Sequence, residues 1–418
     1  MEKGIIVGVN TLKNVISFEN EMKELKALCN ACNIEVVEEV TQNLNEINIK
    51  SYIGKGKIEE LKIAINATDA DVVICNDELS PSQISFLEKT LEILIFDRTY
   101  VILEIFKRRA KTREAILQVD IASLRYMLPR LSSLRSGFSR QRGTGGMAHG
   151  KGKGETQLEI DRRNIASRIS ILKNELLELT TNRKVQRVQR KKNNIKTVCL
   201  VGYTNSGKST TLNTLLTYSK DVKKEVFEKD MLFATLETST RKIKLDNNKQ
   251  FLVTDTVGFI NKLPHELVEA FKSTLEEIKE CDLILHVIDA SNELFEEQIE
   301  ATNNVLESLQ VKDIPIIYVF NKIDKCGDYI YIPPKYENCV RISSKMNLNI
   351  DKLLLEIQSV LFKSFKTTTF IVPYSNGEII NVLKEHCDVL DIVYDDFIYI
   401  TASVNEKYYN LYKKYEKK

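Results

Sequence analysis

No apolar run in this 418-residue chain approaches the roughly 18 residues a helix needs to cross a bilayer, so no membrane insertion is expected. The opening MEKGIIVGVN holds no long apolar stretch, and a secretory signal is not expected there. Cysteine is sparse: eight residues lie scattered without a disulfide framework, which suits a reducing cytosol. Cys29 and Cys32 form one CxxC on an expected helix. With no second pair, they read as small helix residues or, alternatively, as a redox or metal pair. Histidine is scarcer still. His149, His265, His286 and His386 lie far apart and match no metal-ligand spacing. The bulk composition, 43% hydrophobic and 28% charged, is that of an ordinary soluble protein with room for more than one core.

What is present is organised around Gly202-Tyr203-Thr204-Asn205-Ser206-Gly207-Lys208-Ser209, followed by Thr210. It fits G-x-x-x-x-G-K-[ST], and its flanks supply the needed context. Residues 197–201 form an apolar run of strand length, and 209–218 read as a helix start with Leu212, Leu215 and Leu216 on one face. Glycines let backbone N–H groups curl around phosphate oxygens, and the helix N-terminus adds its positive dipole end. Lys208 is placed to reach the β/γ-phosphates, and the Ser209 hydroxyl to ligate Mg²⁺.

Downstream, the strand 251–254 leads into Asp255-Thr256-Val257-Gly258. Asp255 can hold Mg²⁺ through water, and the Gly258 N–H can bond the γ-phosphate. Strands at 284–288 and 316–320 follow, and the second ends in Asn321-Lys322-Ile323-Asp324. A buried carboxylate at Asp324 can accept from both the guanine N1–H and the N2 amino group, a pair adenine does not offer. Asn321 can bond the base or brace the phosphate loop, and the Lys322 stem can lie on the base. Ser343-Ser344-Lys345, after a strand at 339–342, fits a loop closing over guanine. A threonine is also needed to complete Mg²⁺ coordination and sense the γ-phosphate. Within Phe233-Ala234-Thr235-Leu236 that is Thr235, with Thr238, Ser239 and Thr240 as rivals. Together these motifs predict GTP hydrolysis to GDP and phosphate.

Position 259, where Ras-like enzymes place a water-orienting glutamine, holds Phe259. Intrinsic hydrolysis is therefore expected to be slow unless another group aligns the water. Asn205 either braces the loop or coordinates K⁺ against the β/γ-phosphates, putting charge where an arginine finger would act.

The net charge of +2 hides an asymmetry. Residues 98–200 hold 24 Lys and Arg against 8 Asp and Glu, a balance of +16, leaving −14 elsewhere. This is either a solvated helical face or a surface for a polyanion such as nucleic acid. Residues 99–136 read as one long basic helix that Pro129 ends or kinks. Residues 137–154 hold seven of the sixteen glycines with Arg140, Arg142, Lys151 and Lys153. That loop is either a linker or a probe that adapts to RNA. Ile165, Ile169, Leu172, Leu176 and Leu179 recur at a/d spacing, which predicts an antiparallel helical hairpin with the glycine loop at its tip.

Strand–helix alternation over 1–98 predicts a small parallel α/β subdomain, with strands at 5–7, 34–37, 72–74 and 93–95 and helices at 18–29, 58–65 and 81–91. The expected division is 1–98, a hairpin at 99–195, a nucleotide domain at 196–363, and a small α+β domain at 364–418. In the last, strands at 370–372 and 397–400 flank a helix at 377–386, and 408–418 reads as a surface helix.

The finer pattern resembles the HflX GTPases of the Obg–HflX group. The match includes SYIGKGKIEEL (51–61), NDELSPSQ (76–83), GETQLEIDRR (154–163), GYTNSGKST (202–210), LFATLETSTR (232–241), DTVGF (255–259) and NKID (321–324). It departs at Gly152-Lys153-Gly154-Glu155, where the family usually has G-P-G-E, and at Glu237-Thr238, where proline often follows the acidic residue. The resemblance implies a Ras-like G domain with a mostly parallel sheet and helices on both faces, beside the other three parts. It further implies binding of the 50S ribosomal subunit, with the hairpin loop reaching 23S rRNA, and separation of stalled ribosomes. A cytoplasmic monomer is expected, held in part at membranes through ribosomes. A GTPase of ribosome assembly or RNA modification, or a GTP-gated protein-interaction switch without RNA, are the alternatives.

Overall fold

Four short apolar runs set the N-terminal architecture, and the computed structural model pairs them as the four strands of a parallel sheet. The structure describes residues 2–11, 15–131, 151–192, 195–219, 239–245, 249–262, 267, 271, 275–311, 313–327 and 331–417. The chain groups into two units. One is Met1–Gln186 with Met231–Glu237 and Ile260–Ser273; the other is Arg187–Asp230, Thr238–Phe259 and Thr274–Lys418.

In the first unit, β1 (Glu2–Asn10), β2 (Ile34–Asn43), β3 (Val72–Cys75) and β4 (Leu94–Asp97) form an all-parallel sheet in the order β2-β1-β3-β4. The crossovers are α1 (Val15–Ala31), α2 (Lys55–Thr68) and α3 (Pro81–Leu91). Parallel strands need such helical crossovers, and their burial on both faces explains the near-continuous apolar runs. Helix α3 starts where predicted because Ser80 and Gln83 form a capping box and Pro81 occupies the first turn. Burial pushes the Cys29 thiol up to about 12 and Cys32 up to about 11, so both stay protonated; Cys29 packs as a small helix residue of α1, and Cys32, expected on the same helix, lies buried in the turn just after it.

The single basic helix expected at 99–136 is instead two: α4 (Arg98–Arg109) and α5 (Arg113–Met127), followed by a 3₁₀ turn at Leu128–Arg130. The apolar periodicity runs through the break, so spacing alone concealed it. Ala110 leaves the helix with extended backbone, and Thr112 caps α5 by accepting from the Ala115 N–H at 3.3 Å. Lys107, Arg108 and Arg109 fill the last turn of α4, where cations meet the negative dipole end. Asp97 joins these pieces. Fully buried, it accepts from the Leu79 N–H, the Tyr100 N–H and the Tyr126 hydroxyl at 3.1, 2.9 and 2.8 Å.

Helix α6 (Lys151–Lys192) supplies the other arm of the hairpin. Ile165, Ile169, Leu172, Leu176 and Leu179 pack on Leu117, Ile121 and Leu124 of α5, as the a/d seam predicts. Residues 137–150 of the glycine loop, with Arg140 and Arg142, lie outside the described residues; 151–154, expected in that loop, already belong to α6.

In the second unit a six-stranded sheet runs β10-β9-β8-β5-β7-β6. Its strands are β5 (Lys196–Val201), β6 (Ser239–Lys244), β7 (Gln250–Asp255), β8 (Leu283–Asp289), β9 (Ile316–Asn321) and β10 (Cys339–Arg341). Only β6 is antiparallel to its neighbour. Helices α7 (Lys208–Thr217), α8 (Phe295–Ser308) and α9 (Ile350–Leu361) accompany it. This is a mixed α/β fold of parallel sheets, as predicted.

The C-terminal sheet, β11 (Lys366–Val372), β12 (Asp388–Tyr394) and β13 (Ile398–Val404), is antiparallel in the order β11-β13-β12. Strand β12 escaped sequence reading because its pattern is broken by Asp391 and a register shift. Helix α10 (Glu378–His386) lies where expected. The surface helix predicted at 408–418 is corrected to α11 (Glu406–Tyr412) plus a 3₁₀ turn at Lys413–Tyr415, and it is not merely superficial. Tyr408, Tyr409, Tyr412 and Tyr415 recur at spacings of three and four and pack on the core of Phe370, Leu383 and Ile400.

Candidate nucleotide site

The phosphate loop turns out of β5 and into α7 through two glycines whose geometry leaves no room for a side chain. Gly207 has φ 94°, and a Cβ there would lie 2.2 Å from the Asn321 amide nitrogen; one on Gly202 would lie 2.1 Å from the Val287 carbonyl oxygen. Lys208 heads the helix. Its ammonium donates to the carbonyls of Gly202 and Tyr203 at 3.1 and 2.7 Å, which folds the side chain back over the loop. Burial pushes its pKa down to about 8, with Asp255 acting in the opposite sense. A lysine so desolvated gains strongly from an anion brought into the loop.

Ser209 donates its hydroxyl to Asp255 at 2.7 Å. A hydroxyl beside a fully buried carboxylate is the hard-oxygen donor set that suits Mg²⁺, an ion that takes its remaining ligands from water and phosphate. Among the described residues, no group of three or more His, Cys, Asp or Glu offers a metal site of another kind. The third expected ligand, Thr235, and the segment Phe233, Ala234 and Leu236 lie outside the described residues.

The strand after Asp255 closes onto the loop. Thr256 donates its hydroxyl to the Leu200 carbonyl at 2.7 Å. The Thr204 N–H donates to the Phe259 carbonyl at 2.7 Å, and the Phe259 N–H donates to the Gly202 carbonyl at 3.1 Å. These two bonds hold Gly258 against the phosphate loop. The Phe259 ring is 2% exposed, turned into the interior, so it neither orients water nor blocks it. Val257 is buried as well.

At the base-recognition end, Asn321 chooses the bracing role of the two predicted. Its amide donates to the Ser206 carbonyl at 3.0 Å and accepts from the Ser344 N–H at 3.0 Å. Lys322 donates to the Asn205 carbonyl at 2.6 Å. Asp324 is exposed, not buried as expected, and accepts from the Ser343 hydroxyl at 2.5 Å. Its position at the mouth follows from the 3₁₀ turn Ile323–Lys325, which carries it out of the sheet. Ser343 and Ser344 are buried, and Lys345 is exposed. Asn205 stands exposed at φ 60°, its side chain at the rim of the loop, and Thr210 lies half-buried in the first turn of α7.

Several participants were not foreseen. Asp289, at the end of β8, pairs with the Lys322 ammonium at 2.8 Å and is held by the Ser291 hydroxyl at 2.6 Å. No local sequence signal marked it: it stands opposite Asn321 because both end neighbouring strands at the same level. Thr211 and Thr214 hold Ser344, by its hydroxyl and its carbonyl, both at 2.9 Å. Lys262, three residues beyond Phe259 and itself part of the first unit, forms ion pairs with Glu21 and Asp77 of that same unit, each at 2.7 Å. His286 lies beneath the site on β8; burial and the Lys208 charge push its imidazole down to about 3.

This strand–loop–helix with its paired Ser–Asp oxygens and guanine-type loop defines a P-loop GTPase. Three family descriptions match in sequence: a GTP-binding GTPase N-terminal region over 19–107, a GTP-binding GTPase middle region over 109–190, and a 50S ribosome-binding GTPase over 197–322. The chain is 43% identical to the GTPase HflX of Caldanaerobacter subterraneus over 94% of this chain and 89% of that protein. It is 40% identical to the GTPase HflX of Escherichia coli over 74% of this chain and 70% of that one. A GTP-binding protein from Sulfolobus solfataricus, solved with GDP, is similar over 87% of this chain and 99% of that one at 23% identity, with a TM-score of 0.43. The chain belongs to the HflX GTPases.

Two expectations follow from the geometry. Gly207→Ala forces Asn321 off the Ser206 carbonyl, and fluorescent GDP titration is expected to show binding weakened about 10- to 100-fold. His286 binds a proton in the unfolded chain near pH ~6.5 but in the folded chain only near about 3. Its contribution is therefore present above pH ~6.5 and lost as the pH falls toward 3. Wild type is expected to lose about 2 kcal/mol more than His286→Phe between pH 7 and pH 5, read by denaturant unfolding. Parallel losses would assign the acid sensitivity elsewhere.

Proposed function

We propose that this HflX GTPase binds the large ribosomal subunit and splits or rescues stalled ribosomes, with its nucleotide state setting how firmly it holds. The division of labour is 1–98 and the hairpin 99–195 for the ribosome, 196–363 for GTP, and 364–418 as an accessory. The protein acts as a cytoplasmic monomer. In this reading Lys208 and the loop amides bind the β/γ-phosphates, Gly258 senses the γ-phosphate, and Asp324 with Lys322 and the 343–345 loop reads guanine. Ser209, Asp255 and Thr235 would hold Mg²⁺, which would supply positive charge against the phosphates. The +16 balance of 98–200 supports an rRNA partner for the hairpin.

The observation that carries the reading is Lys262. Gly258 lies against the phosphate loop, and four residues later Lys262 is ion-paired to Glu21 and Asp77. Glu21 accepts from Asn76, which accepts in turn from the buried Arg98; Asp77 accepts from the Tyr52 hydroxyl. A displacement of Gly258 by a γ-phosphate is thus transmitted along a short peptide into a hydrogen-bonded network of the N-terminal unit.

The test is co-sedimentation with purified 50S subunits of protein that is empty, GDP-loaded or loaded with a non-hydrolysable GTP analogue. The analogue is expected to tighten binding about tenfold, and Lys262→Ala to shrink that difference while GDP affinity stays unchanged. Equal affinity in all three states overturns the reading. For the water that Phe259 cannot orient, K⁺ at Asn205 is the proposed aid. Hydrolysis is expected to run about tenfold faster in KCl than in NaCl at equal ionic strength, and not in Asn205→Ala. Equal rates remove the cation.

A further inference from the structure

The C-terminal sheet has one closed edge and one open one. On β11, the Lys417 N–H donates to the Thr369 carbonyl at 2.8 Å, Glu416 bridges Phe370, and the Thr368 hydroxyl donates to Glu416 at 3.1 Å. On the opposite side β12 is the last strand among the described residues. Here the chain sets out large apolar side chains that the core does not use. Leu390, Val393, Tyr394 and Phe397 are 58, 50, 60 and 44% exposed. Tyr374, 56% exposed, reaches the same hairpin, its hydroxyl donating to the Asp395 carbonyl at 2.7 Å. The core is already complete without them: Phe370, Val372, Leu383, Ile398, Ile400 and Val404 are buried with helices α10 and α11 over them. Isolated exposed apolar residues are ordinary, but five on one hairpin and the turn beside it, with Val393 and Tyr394 on opposite faces of β12, give this small domain exposed apolar groups beyond its core's needs.

Charge then selects the partner. Asp388, Asp391, Asp395 and Asp396 lie within the same stretch, and residues 387–406 contain no Lys, Arg or His. Lys249 comes near Asp388, at 3.7 Å, and among the described residues no ion pair engages Asp391, Asp395 or Asp396. Such a surface repels phosphate, so RNA does not fit it, whereas apolar groups framed by lysine or arginine do. The register shift between Val389 and Asp391 leaves Leu390 without a partner on β13 and bends β12, so this strand is not a straight template for a further one. Recognition therefore runs through side chains and not by addition of a long strand.

We propose that the β12–β13 hairpin docks a basic, apolar-bearing protein of the large ribosomal subunit, giving the chain a protein contact to complement the RNA contact of its basic hairpin. This rests on the ribosome reading above. The test uses the full chain with p-benzoylphenylalanine in place of Tyr394, loaded with a non-hydrolysable GTP analogue, mixed with purified 50S subunits, irradiated and pelleted. The expected result is a crosslinked species in the pellet that survives nuclease and is lost on protease treatment, with a mass above that of two copies of this chain excluded. In parallel, Asp395→Lys combined with Asp396→Lys is expected to weaken 50S retention about fivefold with the GTPase rate of the free protein unchanged. Pelleting with no protein adduct, a nuclease-sensitive adduct, or an adduct between two copies of this chain overturns the proposal and leaves the ribosome reading standing. Failure to pellet overturns both.

Discussion

The side-chain amide of Asn321 donates to the carbonyl of Ser206 and accepts from the N–H of Ser344, and both ends of the nucleotide site meet on it. It is 2% exposed, so each of these bonds is made in a medium where leaving one unmade costs about 1–3 kcal/mol. An aspartate would set a carboxylate against the Ser206 oxygen, and an aliphatic residue would strand the Ser344 N–H. Only a group that gives and receives across a few ångströms can join a phosphate-binding turn to a base-binding one. The missing Cβ of Gly207 is the space in which that amide sits.

Around the amide the chain accepts strained backbone. Lys322 and Asn205 both stand at positive φ, 64° and 60°, and the Lys322 ammonium links the second to Asp289 through the Asn205 carbonyl. Non-glycine residues in that region cost free energy, which persists only where neighbours over-determine the conformation. Here Asp289 is itself fixed by Ser291, so the ammonium has one place to go. The result is a site whose parts are positioned by one another before any ligand is considered.

Local motifs were legible in the sequence because each states its own geometry. The glycine–lysine loop needs a strand before and a helix after, and the residues at 197–201 and 209–217 supply them; Pro81 after Ser80 announces a helix start. The a/d seam named its own side of the hairpin correctly because packing follows spacing. What escaped reading depends on contacts distant in sequence. The break at 110–112 is invisible to periodicity and is fixed by a threonine cap. Asp289 gains meaning only once β8 and β9 are in register, and Lys262 only once Glu21 and Asp77, 241 and 185 residues away, are brought to it. Asp324 was misread as buried because a recognition carboxylate was assumed to lie inside, whereas the 3₁₀ turn after β9 lifts it to the surface.

The segment from Asp255 to Lys262 is where these local and distant constraints converge. Its first residue receives a hydrogen bond from Ser209, its middle pairs by two backbone bonds with the phosphate loop, and its last residue is held by two carboxylates. No glycine or proline lies between Phe259 and Lys262 to absorb a shift, and Lys262 is itself at φ 55°, away from the broad minima that tolerate small rotations. Of the two attachments, the ion pairs are the more adjustable, because Lys262 is 39% exposed and its partners 18%, so water can replace each bond as it breaks. The backbone pairing of Phe259 is buried and has no such substitute. A ligand that competes with the phosphate-loop pairing must therefore supply bonds of its own to Thr204 and Gly258, and under the proposed reading the terminal phosphate of GTP is the group that would supply them.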